Sequence, residues 1–137
     1  MDAPEGVIAL VRDWLRKADN DLINAVHTLK LGGKCPTDTV CFHAQQCVEK
    51  HLKALLVLLG IPFSRTHDIA HLMSMVPLAL APSLNADQQD LLTDYAASIR
   101  YPSSNDEVSL SEARKAVAMA RLVRREIRRQ IPRSGKL

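Results

Sequence analysis

Aromatic side chains are scarce in this chain: one Trp, two Tyr and two Phe make up 4% of its 137 residues. Strands favour aromatic and β-branched side chains; Ala and Leu dominate here instead, and Ala in particular favours helices. No strand signal survives the helical alternative. Only five glycines and seven prolines occur, and they gather between periodic segments. Three cysteines, Cys35, Cys41 and Cys47, are an odd count. Cys41 and Cys47 fall within a helical pattern as small core residues, and a reducing cytoplasm is the natural reading. No run reaches the roughly 18 apolar residues of a membrane span, so no membrane association is expected. The opening stretch MDAPEGVIALV carries acids rather than a basic leader, so it does not read as a signal peptide. The Gly-rich phosphate loop, the Gly-x-Ser-x-Gly elbow and the paired CxxC are all missing, which leaves P-loop and hydrolase readings without support.

What is present is helical periodicity. Trp14, Ala18, Leu22, Ala25 and Leu29 recur at helical spacing and predict a first helix over about Val7 to Leu31, stopped by Gly32 and Gly33. With Asp38 as its cap, a second helix is expected from Thr39 to Leu59, ending at Gly60. A third is expected from His67 to Leu80, capped by Thr66 and shortened by Pro77. Asn85 with Gln88, and Ser109 with Glu112, have capping-box spacing and start a fourth and a fifth helix, the last running to about Ile131. Neither an internal repeat nor a low-complexity linker interrupts them. The fold class is therefore all-α: one domain over residues 1–137, built as an up-and-down bundle of four to five helices.

The net charge of +3 hides an asymmetry. From Leu110 onward nine Lys or Arg face two Glu, giving +7, so the remainder carries −4. Arg121, Arg124, Arg125, Arg128 and Arg129 include like-charge pairs four apart, each costing a few tenths of a kcal/mol. An anionic partner would relieve them. The bland alternative is a solvated terminal helix.

The segment from Cys41 to Lys53, CFHAQQCVEKHLK, carries more polarity than solubility needs. Gln45, Glu49 and Lys53 stack at i, i+4 and i+8, with Gln46 and Lys50 beside them. Cys41, Ala44, Val48, Leu52, Leu55 and Leu59 form the opposite, apolar face. A solvated face with helix-stabilising pairs is the competing reading. His43, Cys47 and His51 share the same spacing, as do His67 and His71. Without a fourth ligand nearby, packing or surface placement is the reading taken, with no metal and no cofactor. The acidic pairs Asp19 and Asp21, and Asp87 and Asp90, read as ordinary surface charge. Further on, Pro102 disfavours helix at Tyr101, so Arg100 falls in a last helical turn, where a cation also suits the helix dipole.

Taken in order, Trp14 with Ala18 and Asp21-Leu22, then FHAQQCVEKHLKALL, then Thr66-His67-Asp68, then Tyr95 with Arg100-Tyr101-Pro102, resemble the HEPN family of small helical domains linked to nucleotide binding. In that family's ribonuclease branch an Arg is followed four to six residues later by a His, and the pair cleaves RNA. Arginine suits phosphate and histidine moves the proton of the 2′-hydroxyl. Here Asn105 stands where the histidine is expected, and an amide does not transfer a proton near neutral pH. Arg100 and Asn105 are thus the candidate catalytic positions, with the histidine missing. The Arg-Tyr-Pro form resembles the branch found beside minimal nucleotidyltransferases. That resemblance implies a homodimer that binds nucleotide or RNA and partners a small nucleotidyltransferase in a toxin–antitoxin-like pair. Arg100 and Lys53 would face phosphate, Gln46 and Glu49 would orient base or sugar, and Tyr101 would stack. The alternatives are a metal-independent endoribonuclease toxin of the same fold and a purely structural interaction domain.

Overall fold

The computed structural model describes residues 3–98 and 107–136. Within them the chain forms five α-helices: α1 Glu5–Leu29, α2 Thr37–Leu58, α3 Ile69–Met75, α4 Ala86–Ser98 and α5 Leu110–Arg128. Single 3-10 turns follow α1, α3 and α5 at Gly32–Lys34, Leu78–Leu80 and Arg133–Gly135. Helix α2 is the hub. It packs most extensively against α1, then α5, and also against α4 and α3. The core includes Leu15, Leu52, Leu55, Leu56, Ile69, Leu72, Leu92 and Ile127, all essentially without solvent contact. Each such side chain contributes about 1.5–3 kcal/mol on burial.

The ends of the helices follow local chemistry. Helix α2 starts two residues earlier than expected, because Pro36 holds extended backbone and presents its carbonyl to the Val40 amide. Asp38 is therefore not the cap; it sits in the first turn, where its carboxylate accepts from the Thr39 amide and complements the helix dipole. At the far end Gly60 adopts φ +70°, and Ile61 N–H reaches back to Leu56 O, a Schellman closure that favours glycine. Helix α3 is shorter than the periodicity predicts. Its cap is Asp68, accepting from the His71 amide, while Thr66 accepts from the Asp68 amide. Pro77 forces Val76 into extended backbone, which ends the helix. Both halves of the Asn85–Gln88 capping box are made. Ser109 caps α5 by accepting from the Glu112 amide, and α5 gives way to turns after Arg128.

Helices α1 and α5 are tied by charge through α2. Asp19 accepts from Arg124 Nε at 2.9 Å and from an Arg128 terminal nitrogen at 2.7 Å, so it is an interhelical link rather than loose surface charge. Arg128 also reaches His51, which has no solvent exposure. The Nδ1 of His51 lies 2.8 Å from the Cys47 carbonyl oxygen. A carbonyl only accepts, so Nδ1 carries the hydrogen and Nε2 faces Arg128 as an acceptor. Burial, reinforced by the neighbouring Arg128 and Arg124, pushes the imidazole down from 6.5 to about 4. The unfolded chain takes up this proton first as pH falls. Stability supplied by neutral His51 is complete above about pH 6.5 and lost progressively toward pH 4, by about 3 kcal/mol. Chemical denaturation across that range should show the decline, and His51→Gln should flatten the part of it that belongs to this side chain. An unchanged slope would place the acid sensitivity elsewhere.

Candidate functional site

The polar ladder of α2 is not a solvated face. Gln45, Glu49 and Lys53 are 0%, 3% and 6% exposed. Burying such groups is costly unless each is paired, and each is. Glu49 is the acceptor at the centre: Lys53 Nζ lies 3.0 Å from its Oε2, and His67 Nδ1 lies 2.7 Å from its Oε1. Gln45 and Gln46 side-chain amides approach the same Oε1 at 3.4 Å. Gln46 also donates to Gln45 Oε1 at 2.6 Å, and Gln45 donates to the His67 carbonyl at 3.0 Å. The network reaches solvent at His67, whose side chain is 53% exposed, and at the half-buried Gln46. With Glu49 ionised against Lys53, His67 Nδ1 is the donor, which leaves Nε2 directed away from the carboxylate.

Lys53 is enclosed from its other side by two aromatic rings. Its ammonium lies 5.5 Å from the centre of Trp14 and 5.8 Å from that of Phe63, and the two rings meet edge to face at 6.2 Å. A cation over an aromatic face gains about 2 kcal/mol when desolvated. Helix α1, helix α2 and the segment after Gly60 thus converge on one ion pair. Two of the chain's five aromatic residues are spent here.

A second cluster lies on α2 at the same level, where it meets α1. Asp21, 7% exposed, accepts from His43 Nδ1 at 2.8 Å and from the Lys50 ammonium. It is no surface charge. His43 turns to Asp21, whereas Cys47 and His51 contact each other, Sγ lying 3.5 Å from Nδ1, so the three do not meet at one point. His67 turns its ring to Glu49, while His71 enters the cap of α3 through its backbone amide. The thiols of Cys41 and Cys47 are pushed up to about 12 by burial, which keeps them protonated and unreactive.

Arg100, Tyr101 and Asn105 lie outside the described residues. The described part of α4 runs beside the cluster: Thr93 accepts the amide of Ile69, two residues beyond His67, at 3.0 Å. Tyr95 is buried, and burial beside Cys41 and Glu112 raises its phenol above the ordinary range, so it stays neutral.

The family model described as HEPN domain matches residues 11–130. This chain belongs to the HEPN family. It is similar to the crystal structure of TT1696 from Thermus thermophilus, 26% identical, with a TM-score of 0.73 over 88% of this chain and 98% of that one. It is also similar to ST0689, described as an archaeal HEPN homologue, 27% identical, with a TM-score of 0.68 over 89% of this chain and 98% of that one. No curated protein sequence matches. Among the described residues, no helix is long and apolar enough to cross a membrane.

In this HEPN domain sequence reasoning placed Glu49, Lys53 and Gln46 together but did not find the side-chain roles of His67, Asp21 or Trp14. The landmark residues Trp14 and Thr66-His67-Asp68 were the available signal; their pairing with α2 needed the fold. The network's energetics can be tested directly. Breaking a buried ion pair by removing one partner costs about 3–5 kcal/mol, so Glu49→Ala should lower the melting temperature by on the order of 10 °C. Glu49→Leu combined with Lys53→Met should recover most of that loss, as two apolar groups replace the pair. Equal melting of Glu49→Ala and wild type would show that the pair is not buried in solution.

Proposed function

We propose that this HEPN domain is a nucleotide- or RNA-binding module, acting as a homodimer in the cytoplasm and as the helical partner of a minimal nucleotidyltransferase in a toxin–antitoxin-like pair. The observation that supports it most is the Glu49 network. A central helix needs no such network for stability, and a satisfied polar cluster that opens to solvent at one edge suits a ligand better than it suits a core. In this reading Arg100 meets phosphate, Gln46 hydrogen-bonds base or sugar, and Tyr101 stacks. Glu49 and Lys53 are positioning residues. Lys53, whose ammonium is already engaged by Glu49 and the two rings, reaches a phosphate only by leaving them, and its part is to hold the Glu49 side chain in place. The chain has no Gly-Ser followed by an Asp-x-Asp pair, so the carboxylates for nucleotide transfer come from the partner.

A second reading, the metal-independent endoribonuclease, draws on one observation. His67 is half exposed and held by the buried Glu49, an arrangement in which a carboxylate orients an imidazole for proton transfer. It stands in for the histidine absent at Asn105.

The experiments separate these readings. Arg100→Ala should weaken nucleotide or RNA affinity by roughly tenfold to a hundredfold, as loss of a charged contact does, with the melting temperature unchanged. Equal affinity would return Arg100 to the role of a helix C-terminal cation. Purified wild type in chelator should cleave RNA little or not at all. Robust cleavage, lost in Arg100→Ala and in His67→Gln, would make the ribonuclease reading the better one. Light scattering at micromolar concentration should read a dimer.

A further inference from the structure

The arginines of α5 divide into two sets. Arg124 and Arg128 turn inward to Asp19. Arg114, Arg121, Arg125 and Arg129 are exposed and share one face of the helix, with Lys115 beside them. Among the described residues none of these five is paired with a carboxylate, because the acids of α5 are directed elsewhere. Glu126 accepts from the backbone amide and hydroxyl of Ser83 at 2.7 and 2.9 Å, and Glu112 lies toward Tyr95 at the other end of the helix. Arg121, Arg125 and Arg129 follow one another at four-residue steps, about 6 Å apart along the axis. Three like charges in a row repel one another, so the row is stabilised by whatever anion it meets.

Beside this row runs an open groove of about 740 Å³ between α4 and α5. Both helices lean on α2 rather than closely on each other. Leu91, Met119 and Leu122 line the groove, Lys115 and Arg125 also border it, and Glu112 is the one acid on its wall among the described residues. Arg125 therefore belongs to both features. An apolar slot next to a line of guanidinium groups offers two different things side by side: bidentate donors for phosphate, and a surface against which a base face is desolvated. An acidic peptide would use the first and leave the second unexplained. A base-paired duplex would keep its bases out of the slot.

We propose that the exposed face of α5 binds single-stranded RNA, with successive phosphates on Arg121, Arg125 and Arg129 and an unstacked base in the groove over Leu91 and Leu122. This surface is separate from the Glu49 network and adds to the function proposed above; neither depends on the other.

The test is fluorescence anisotropy of the full chain with a short labelled oligouridylate, between about 50 and 200 mM salt. Changing Arg121, Arg125 and Arg129 together to Gln should weaken binding by tenfold or more. It should also make the dependence of log affinity on log salt shallower by about two, as three lost single-strand contacts imply. The melting temperature should hold or rise, since like-charge pairs are removed. Leu91→Glu, at an exposed position, should weaken the oligouridylate with all three arginines intact. Neither variant should change ATP binding, which is where Arg100→Ala acts. A triple variant with unchanged affinity and salt slope would overturn the proposal. So would polyglutamate or duplex RNA binding as tightly as the oligouridylate with the same loss in the triple variant.

Discussion

The ion pair of Glu49 with Lys53 is the constraint around which this domain is arranged. A helix enclosed by four others is expected to be apolar on every side. Helix α2 is enclosed in that way and still carries an amide, a carboxylate and an ammonium at successive turns. Each must find its partner inside the protein, and the partners come from different parts of the chain. Trp14 comes from α1, Phe63 from the segment that leaves α2, and His67 from the approach to α3. The requirement to satisfy one buried charge therefore fixes how three segments meet. A buried pair of this kind adds little net stability over an apolar replacement. Its presence bears on specificity or function more than on folding.

The same helix is used twice more. Asp21 gathers His43 and Lys50 where α1 crosses it, and His51 with Cys47 reaches the Arg128–Asp19 link on the side of α5. Three polar clusters thus sit on one helix, two of them drawing on α1 and the third on α5. Interlocking of this sort resists sliding of α1 and α5 along α2, because hydrogen bonds demand a register that leucine packing does not. It also sorts the histidines. His51 is buried and neutral, held as a structural acceptor. His67 keeps half its surface in solvent.

The basic end of the chain shows the same division of labour. Side chains of identical type, alternating at three- and four-residue steps, go to opposite tasks according to the helix face they occupy. Arg124 and Arg128 lace α5 to α1 by sharing the Asp19 carboxylate. Arg121, Arg125 and Arg129 stay outside. The charge of +7 over this region therefore overstates what a partner meets, and the smaller outward set carries the field.

Read alone, the sequence determined the five helices, the caps at Asn85 and Ser109, the family resemblance and the membership of the α2 ladder. These depend on local rules: spacing at 3.6 residues, capping boxes at Asn85–Gln88 and Ser109–Glu112, and the stops at Gly60 and Pro77. It misjudged boundaries where two local signals competed, as at Pro36 against Asp38 and at Thr66 against Asp68. It took Asp19 and Asp21 for surface charge. Only the tertiary structure decided that the ladder is buried, that Lys53 lies between Glu49 and two rings, and that the arginines of α5 face two ways. The reason is physical. A helical pattern states which residues share a face, whereas burial and pairing depend on what another segment, 18 or 105 residues away in sequence, brings to that face.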